Sequence, residues 1–195
     1  MSQNLIGCAR RYALAAVRGL GSYVSSSEPL VRASNVLALL IASNQPIYPF
    51  YVRFVAGPDG GATFLTLITT PLFLAVPWFS RSSHRLGLAS VPVIGLANAV
   101  IATLALGNAV GIDLFVIPCL AVAALVAERC NYKLVLAAAL GALTAFLFVH
   151  FAGIEPMHRF ADAAQSALYR LNAFAVAGLT IYIAIAFSRA RWWAP

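Results

Sequence analysis

The stretch "SNQPIYPFYVRF", Ser43 to Phe54, decides how this chain is read. Before it runs "PLVRASNVLALLIA" (29–42), and after it comes the turn "GPDGG" (57–61). A helix crosses a bilayer with about 20 mostly apolar residues, and residues 31–56 supply that length. In water, Asn44, Gln45, Pro46 and Pro49 would mark a loop. In lipid, backbone groups without partners are too costly for a loop to be exposed. Each proline removes a donor and frees a carbonyl about four residues earlier. The stretch is therefore expected to kink a span. Asn44 and Gln45 would face a pocket, and Tyr48 would line its apolar wall one turn farther out.

Composition carries the membrane reading to the whole chain. Of 195 residues, 62% are hydrophobic and 10% charged, against about 25% charged in a soluble domain. Mean hydropathy is +0.86. The predicted fold is all-α: a six-helix transmembrane bundle over 28–190, preceded by an N-terminal interfacial segment (1–27). Residues 191–195 follow as a cytoplasmic tail or a link. The spans are expected near 31–56, 62–79, 86–107, 112–127, 133–152 and 166–188. "SSSEP" (25–29) opens the first, with Ser25 and Glu28 at capping-box spacing and Pro29 in the first turn. Residues 3–21 have apolar positions at helical spacing and Arg10, Arg11 and Arg18 on the other side. That pattern suits a helix lying on an anionic leaflet; a mobile basic tail is the other reading.

The net charge of +7 points to topology, not to nucleic acid. With the N-terminus inside, ten basic residues fall on one face: Arg10, Arg11, Arg18, Arg32, Arg81, Arg85, Arg129, Lys133, Arg189 and Arg191. The other face holds three, Arg53, Arg159 and Arg170. Cytoplasmic loops carry the excess of Lys and Arg, so both termini are expected in the cytoplasm. No secretory signal is visible in the first 30 residues. Cys8, Cys119 and Cys130 form no motif and are expected as free thiols.

With this topology the uncharged polar groups gather in the outer half of the bundle. Asn44, Gln45, Asn98, His150 and Asn172 would orient a ligand by hydrogen bonds. Tyr48, Tyr51, Phe73, Phe146 and Phe174 would form the apolar walls. Taken singly, such residues more often join helices; it is their one-sided grouping that points to a small, largely apolar ligand. Motifs for enzymes are absent: no CxxC, HExxH, GxSxG or phosphate-cradling loop occurs. "EPMH" (155–158) is a poor metal signature, so neither metal nor cofactor is expected and no catalytic residue is assigned.

The cytoplasmic helix, "SSSEP", a first span opening "VRASN" and containing "PIYPFY", and five more short-looped spans resemble a known layout. It is that of the six-helix membrane sensor domains of some bacterial class III adenylate cyclases and quorum-sensing histidine kinases. The resemblance implies a bacterial inner-membrane location, a homodimer, a small lipophilic ligand and a cytoplasmic cyclase or kinase output domain. The chain as given stops at Pro195, before any such domain, so it reads as the sensor region of a longer protein or as a free-standing relative. A small-solute or lipophile transporter, or its membrane subunit, is the alternative. A haem-binding or lipid-modifying membrane protein is the third.

The charge asymmetry makes a testable map. Single cysteines placed at Gly60 and Ala161 in a cysteine-free background should react with an impermeant thiol reagent from outside. Cysteines at Ser83 and Asn131 should react only after the membrane is opened. The opposite pattern at Gly60 and Ser83 reverses the topology.

Overall fold

The computed structural model describes residues 15, 17–57, 60–130, 132–151 and 155–192. Most of the expected interfacial segment, with Arg10, Arg11 and Cys8, lies outside them. The described chain is all-helical, 89% helix with no strand. Helix α1 is described over 17–24. It is followed by α2 (Pro29–Asn44), α3 (Ile47–Ala56), a 3-10 helix (Gly60–Thr69), α4 (Thr70–Ser82) and α5 (His84–Leu106). Then come α6 (Val116–Val126), α7 (Tyr132–Phe151) and α8 (Asp162–Trp192). Among the described residues, three helical stretches are long and apolar enough to cross a membrane: Gly61–Ser82, His84–Leu106 and Asp162–Ala190.

Each segment expected from hydropathy is helical, but three are broken. The second is a 3-10 helix up to Thr69 and α-helical from Thr70. The first divides at Gln45–Pro46. Pro46 has no N–H to give the Ala42 carbonyl, and Pro49 has none for that of Gln45. The Gln45 carbonyl instead accepts a tighter bond from Tyr48 N at 3.3 Å. The fourth is α-helical only over Val116–Val126, with 3-10 turns at Ile112–Phe115 and Ala127–Arg129. The start of α2 differs from the expectation too. Pro29 does open the helix, but Glu28 makes no side-chain cap. Ser25 Oγ turns back to Ser22 O at 2.8 Å, and it is Ser26 Oγ that accepts from Glu28 N at 3.2 Å. No capping box forms, because the chain bends one residue later than the motif requires.

Helix α5 is the axis. In its most apolar stretch 61% of residues are buried, against 33% and 22% in the other two membrane-length stretches. It packs on α2, α4, α6, α7 and the 3-10 helix. Small residues allow the close approach. A Cβ added at Gly87 would stand 2.7 Å from Ser80 Cα and would overlap Ser80 Oγ. Ser80 is held there by a 2.7 Å bond to Asn35 Oδ1, so α2, α4 and α5 meet at one polar point. At the far end, Met157 N and His158 N donate to Leu104 O and Ala105 O at 3.2 and 3.1 Å. The loop before α8 thereby satisfies carbonyls that the helix end leaves without partners.

The Ser80–Gly87 contact carries a sharp expectation. Gly87→Ala should destabilise the folded chain by about 1–3 kcal/mol through overpacking. Ser80→Ala should not rescue it, since Ser80 Cα and Cβ remain in the way. Gly141→Ala, which meets nothing within 4 Å, should be neutral or stabilise by up to ~1 kcal/mol through helix propensity. Equilibrium unfolding of the three variants checks the order.

Candidate functional site

The long 3-10 helix beside α4 is the local feature that builds the site. Runs beyond about four residues are uncommon in this geometry, and side chains at i and i+3 eclipse. Thr63, Thr66 and Thr69 therefore form one row, and all three are buried. Thr66 Oγ1 donates to Thr63 O at 2.7 Å, which supports the tight turn from within. The row faces the break after α2. Gln45 Nε2 donates to Thr66 O at 3.1 Å and to Thr69 Oγ1 at 2.8 Å. Thr70 Oγ1 donates to Gln45 Oε1 at 2.8 Å. Thr69 Oγ1 passes its own hydrogen to Asn98 Oδ1 on α5, also at 2.8 Å.

This chain of bonds borders a cavity of about 430 Å³, within the roughly 300–1,000 Å³ typical of ligand pockets. Helices α2 and α3 contribute Leu40, Ile41, Asn44, Gln45 and Tyr48; Thr66 and Phe73 come from the next pair of helices. The central and following helices add Asn98, Ala99, Ala102, Phe115 and Cys119, and α8 adds Ala175, Gly178, Leu179 and Tyr182. No lining residue carries a charge. Two donors point to an occupant's chemistry. Asn98 Nδ2 has no partner among the described residues, since only its oxygen is engaged. The Tyr48 hydroxyl accepts from Asn172 Nδ2 at 3.1 Å, and its own hydrogen has no acceptor among the described residues.

Of the ten residues singled out from sequence, five line this cavity: Asn44, Gln45, Tyr48, Phe73 and Asn98. Asn172 stands just behind it, 1% exposed, bonded to Tyr48 and to Val110 O at 2.8 Å. Tyr51 and Phe174 lie outside the cavity and are exposed, Phe174 at 78%. The inward positions are Tyr48 and Val52 on α3, and Asn172, Ala175 and Val176 on α8; Tyr51 and Phe174 fall between them on the outer faces. Phe146 and His150 belong to α7, and their side chains lie outside the described residues. Gln45 departs from its expected role. Its amide is fully engaged with the threonine row, so it builds the wall and is not an open contact for a ligand.

Sequence reading missed Thr66, Thr69, Thr70, Cys119 and Tyr182. A signal existed for the threonines, whose strict repeat of three in "TFLTLIT" fits the eclipsed row of a 3-10 helix better than the i, i+3, i+4, i+7 stripe of an α-helix. Elsewhere, a second cavity of about 300 Å³ lies under the loop at Pro156, His158 and Arg159. There Glu155 of "EPMH" pairs with Arg159 at 2.9 Å. Among the described residues no group of three His, Cys, Asp or Glu side chains could hold a metal ion. Cys119 and Cys130 are free thiols. Burial pushes the Cys130 thiol pKa up, with the Arg85 charge pulling it partly back.

The two amides of the opening stretch should now separate. Gln45→Leu leaves the buried Thr69 and the half-buried Thr70 hydroxyl without this partner and should cost about 1–3 kcal/mol of stability. Asn44 is exposed and makes no side-chain bond among the described residues, so Asn44→Leu should change stability by less than about 0.5 kcal/mol. Equal losses in thermal unfolding would contradict this division of roles.

Compared with family models, curated proteins and solved structures, the chain matches none.

Proposed function

We propose that this chain is a six-span membrane receptor domain with both termini in the cytoplasm. It takes up a small, uncharged lipophilic ligand and passes the change in shape to a cyclase- or kinase-type output domain, acting as a homodimer in a bacterial inner membrane. Six helical segments at the positions expected from hydropathy and the ten-to-three charge split support the topology. The observation that carries the binding reading is the uncharged cavity, where Asn98 Nδ2 and the Tyr48 hydroxyl hydrogen have no acceptor among the described residues. Both donors border an apolar cavity, and a ligand carrying one acceptor on an apolar body would give them the partner that polar groups shut away from water normally have. A charged occupant is disfavoured, because a buried charge without a partner is costly.

A second reading, a lipophile transporter, is favoured by one observation. The cavity sits where helices are discontinuous, at Gln45–Pro46 and at the 3-10 to α-helix change at Thr69–Thr70. Discontinuous helices at mid-depth are how transporters build substrate sites. Flux of a cavity-binding lipophile across proteoliposomes separates the two, since the receptor reading expects none.

The binding test is a thermal-stability titration of the full chain in nanodiscs with uncharged lipophiles carrying one acceptor. A ligand at 100 times its Kd should stabilise by about 2.7 kcal/mol. Asn98→Leu should remove most of that response. Its own stability should shift by only about 0.6 kcal/mol, a typical interhelical hydrogen bond, because Thr69 retains Thr66 O as an acceptor at 3.5 Å. Full response in Asn98→Leu, or equal response to charged analogues, sinks the reading.

A further inference from the structure

We propose that the cavity fills sideways, through a window between α2 and α8 that opens to the bilayer core, and not from the water at either end of the bundle. The proposal rests on the membrane reading above and deepens it by naming the route. The cavity has an exposed rim and a buried floor. Leu40 at 44%, Ile47 at 61% and an exposed Gly178 stand at the rim. Phe73, Ala99 and Ala102, each at most 2% exposed, form the floor.

Along the bundle axis the way is closed at both ends. Toward the loop before α8, the Asn172 amide donates both to Tyr48 Oη at 3.1 Å and to Val110 O at 2.8 Å. That pair of bonds joins α8, α3 and the turn before α6. Val52, Val110 and Leu168, all wholly buried, pack behind it. Toward the other end, Leu30 and Val31 of α2 share one apolar cluster with Ile183 and Phe187 of α8. Between these two clamps the helices part. A Cβ added at Gly178 would meet no atom within 4 Å. Ser43 and Asn44 also stand exposed at this rim, but most of it is apolar, which is unfavourable in water and costs little against lipid tails. The occupant it admits is an uncharged molecule with a hydrocarbon body, already dissolved in the bilayer.

The test uses two photoreactive probes on the full chain in nanodiscs: an aliphatic hydrocarbon diazirine that partitions into lipid, and a charged diazirine that stays in water. Labelled positions are mapped by mass spectrometry. The hydrocarbon probe should label the floor at Phe73 and Ala99, and the charged probe should not. Gly178→Trp and Ser43→Trp narrow the window from opposite rims. Each should lower floor labelling by about tenfold, as an obstacle of ~1.4 kcal/mol does. Labelling of Ile117, exposed on α6, should persist as the internal reference, and circular dichroism should confirm that both variants fold. Three results would overturn the proposal: floor labelling by the charged probe, no floor labelling by the hydrocarbon probe in the unaltered chain, or undiminished floor labelling in both tryptophan variants. Because the probes stand in for no natural ligand, their result is independent of the stability titration. A sound window with no ligand response would remove the receptor reading alone.

Discussion

The bond from Gln45 to the threonine row is the interaction on which the rest of the structure depends. Two adjacent segments of this chain abandon regular α-helical geometry, one at Gln45–Pro46 and one along Gly60–Thr69. Either break alone would leave polar groups without partners in an apolar surrounding, where each costs free energy. Placed side by side, they satisfy each other. Gln45 reaches Thr66 O and Thr69 Oγ1, Thr70 returns to Gln45 Oε1, and Thr69 continues the chain to Asn98. Gln45 and Pro46 keep right-handed helical dihedrals, and what the break removes is the backbone donor at Pro46.

The cavity follows from that choice. With Gln45 drawn toward Thr69, the space between the end of α2 and the middle of α8 is bordered by small groups: Gly95, Ala99, Ala102, Ala175 and Gly178. Above and below, large side chains close the gap, with Phe187, Ile183 and Leu37 in one cluster and Leu168 and Phe160 in the other. Dense packing at the ends and small residues at the centre are how a helical bundle keeps an internal space without losing its register. The floor is firm because α5 is pinned by close backbone approaches. At Gly87 an added Cβ would lie 2.7 Å from the Ser80 backbone, and at Gly95 it would lie 2.6 Å from the side-chain sulfur of Cys119.

Much of this was legible in the residues. Hydropathy located the helical segments to within a few positions, because apolar length is a strong constraint. The break at Pro46 was also readable, since a proline inside an apolar run removes a backbone donor, and Asn44, Tyr48, Phe73 and Asn98 do border one cavity. Depth along a span does not give the face of the helix, however. Tyr51 and Phe174, expected on the cavity wall, lie on outer helix faces and are exposed. Gln45 was placed at the cavity but given to a ligand, because its partners lie 21 to 25 residues on and no local rule pairs them. The threonine row carried its own signal in a period of three, a period seldom sought because long 3-10 helices are uncommon. The capping box at Ser25 and Glu28 failed for a different reason: Ser26 competes for the same turn and is closer to the amide that needs an acceptor.

The same geometry indicates where the protein would yield when the cavity fills. Backbone hydrogen bonds resist bending, and a helix gives way first where one is missing. Helix α5 is fixed by its glycine contacts and α8 is a continuous helix of 31 residues. Between α2 and α3 the Ala42 carbonyl lacks the donor that Pro46 cannot supply. An occupant pressing on α8 would meet Ala175, Gly178, Leu179 and Tyr182, spaced at i, i+3, i+4 and i+7 and so on one face of that one helix. It would displace α8 as a rigid rod against α2 and α3, with the hinge at Gln45–Pro46 absorbing the change. The bond from Asn172 to Tyr48 ties α8 to the first turn of α3, just beyond that joint.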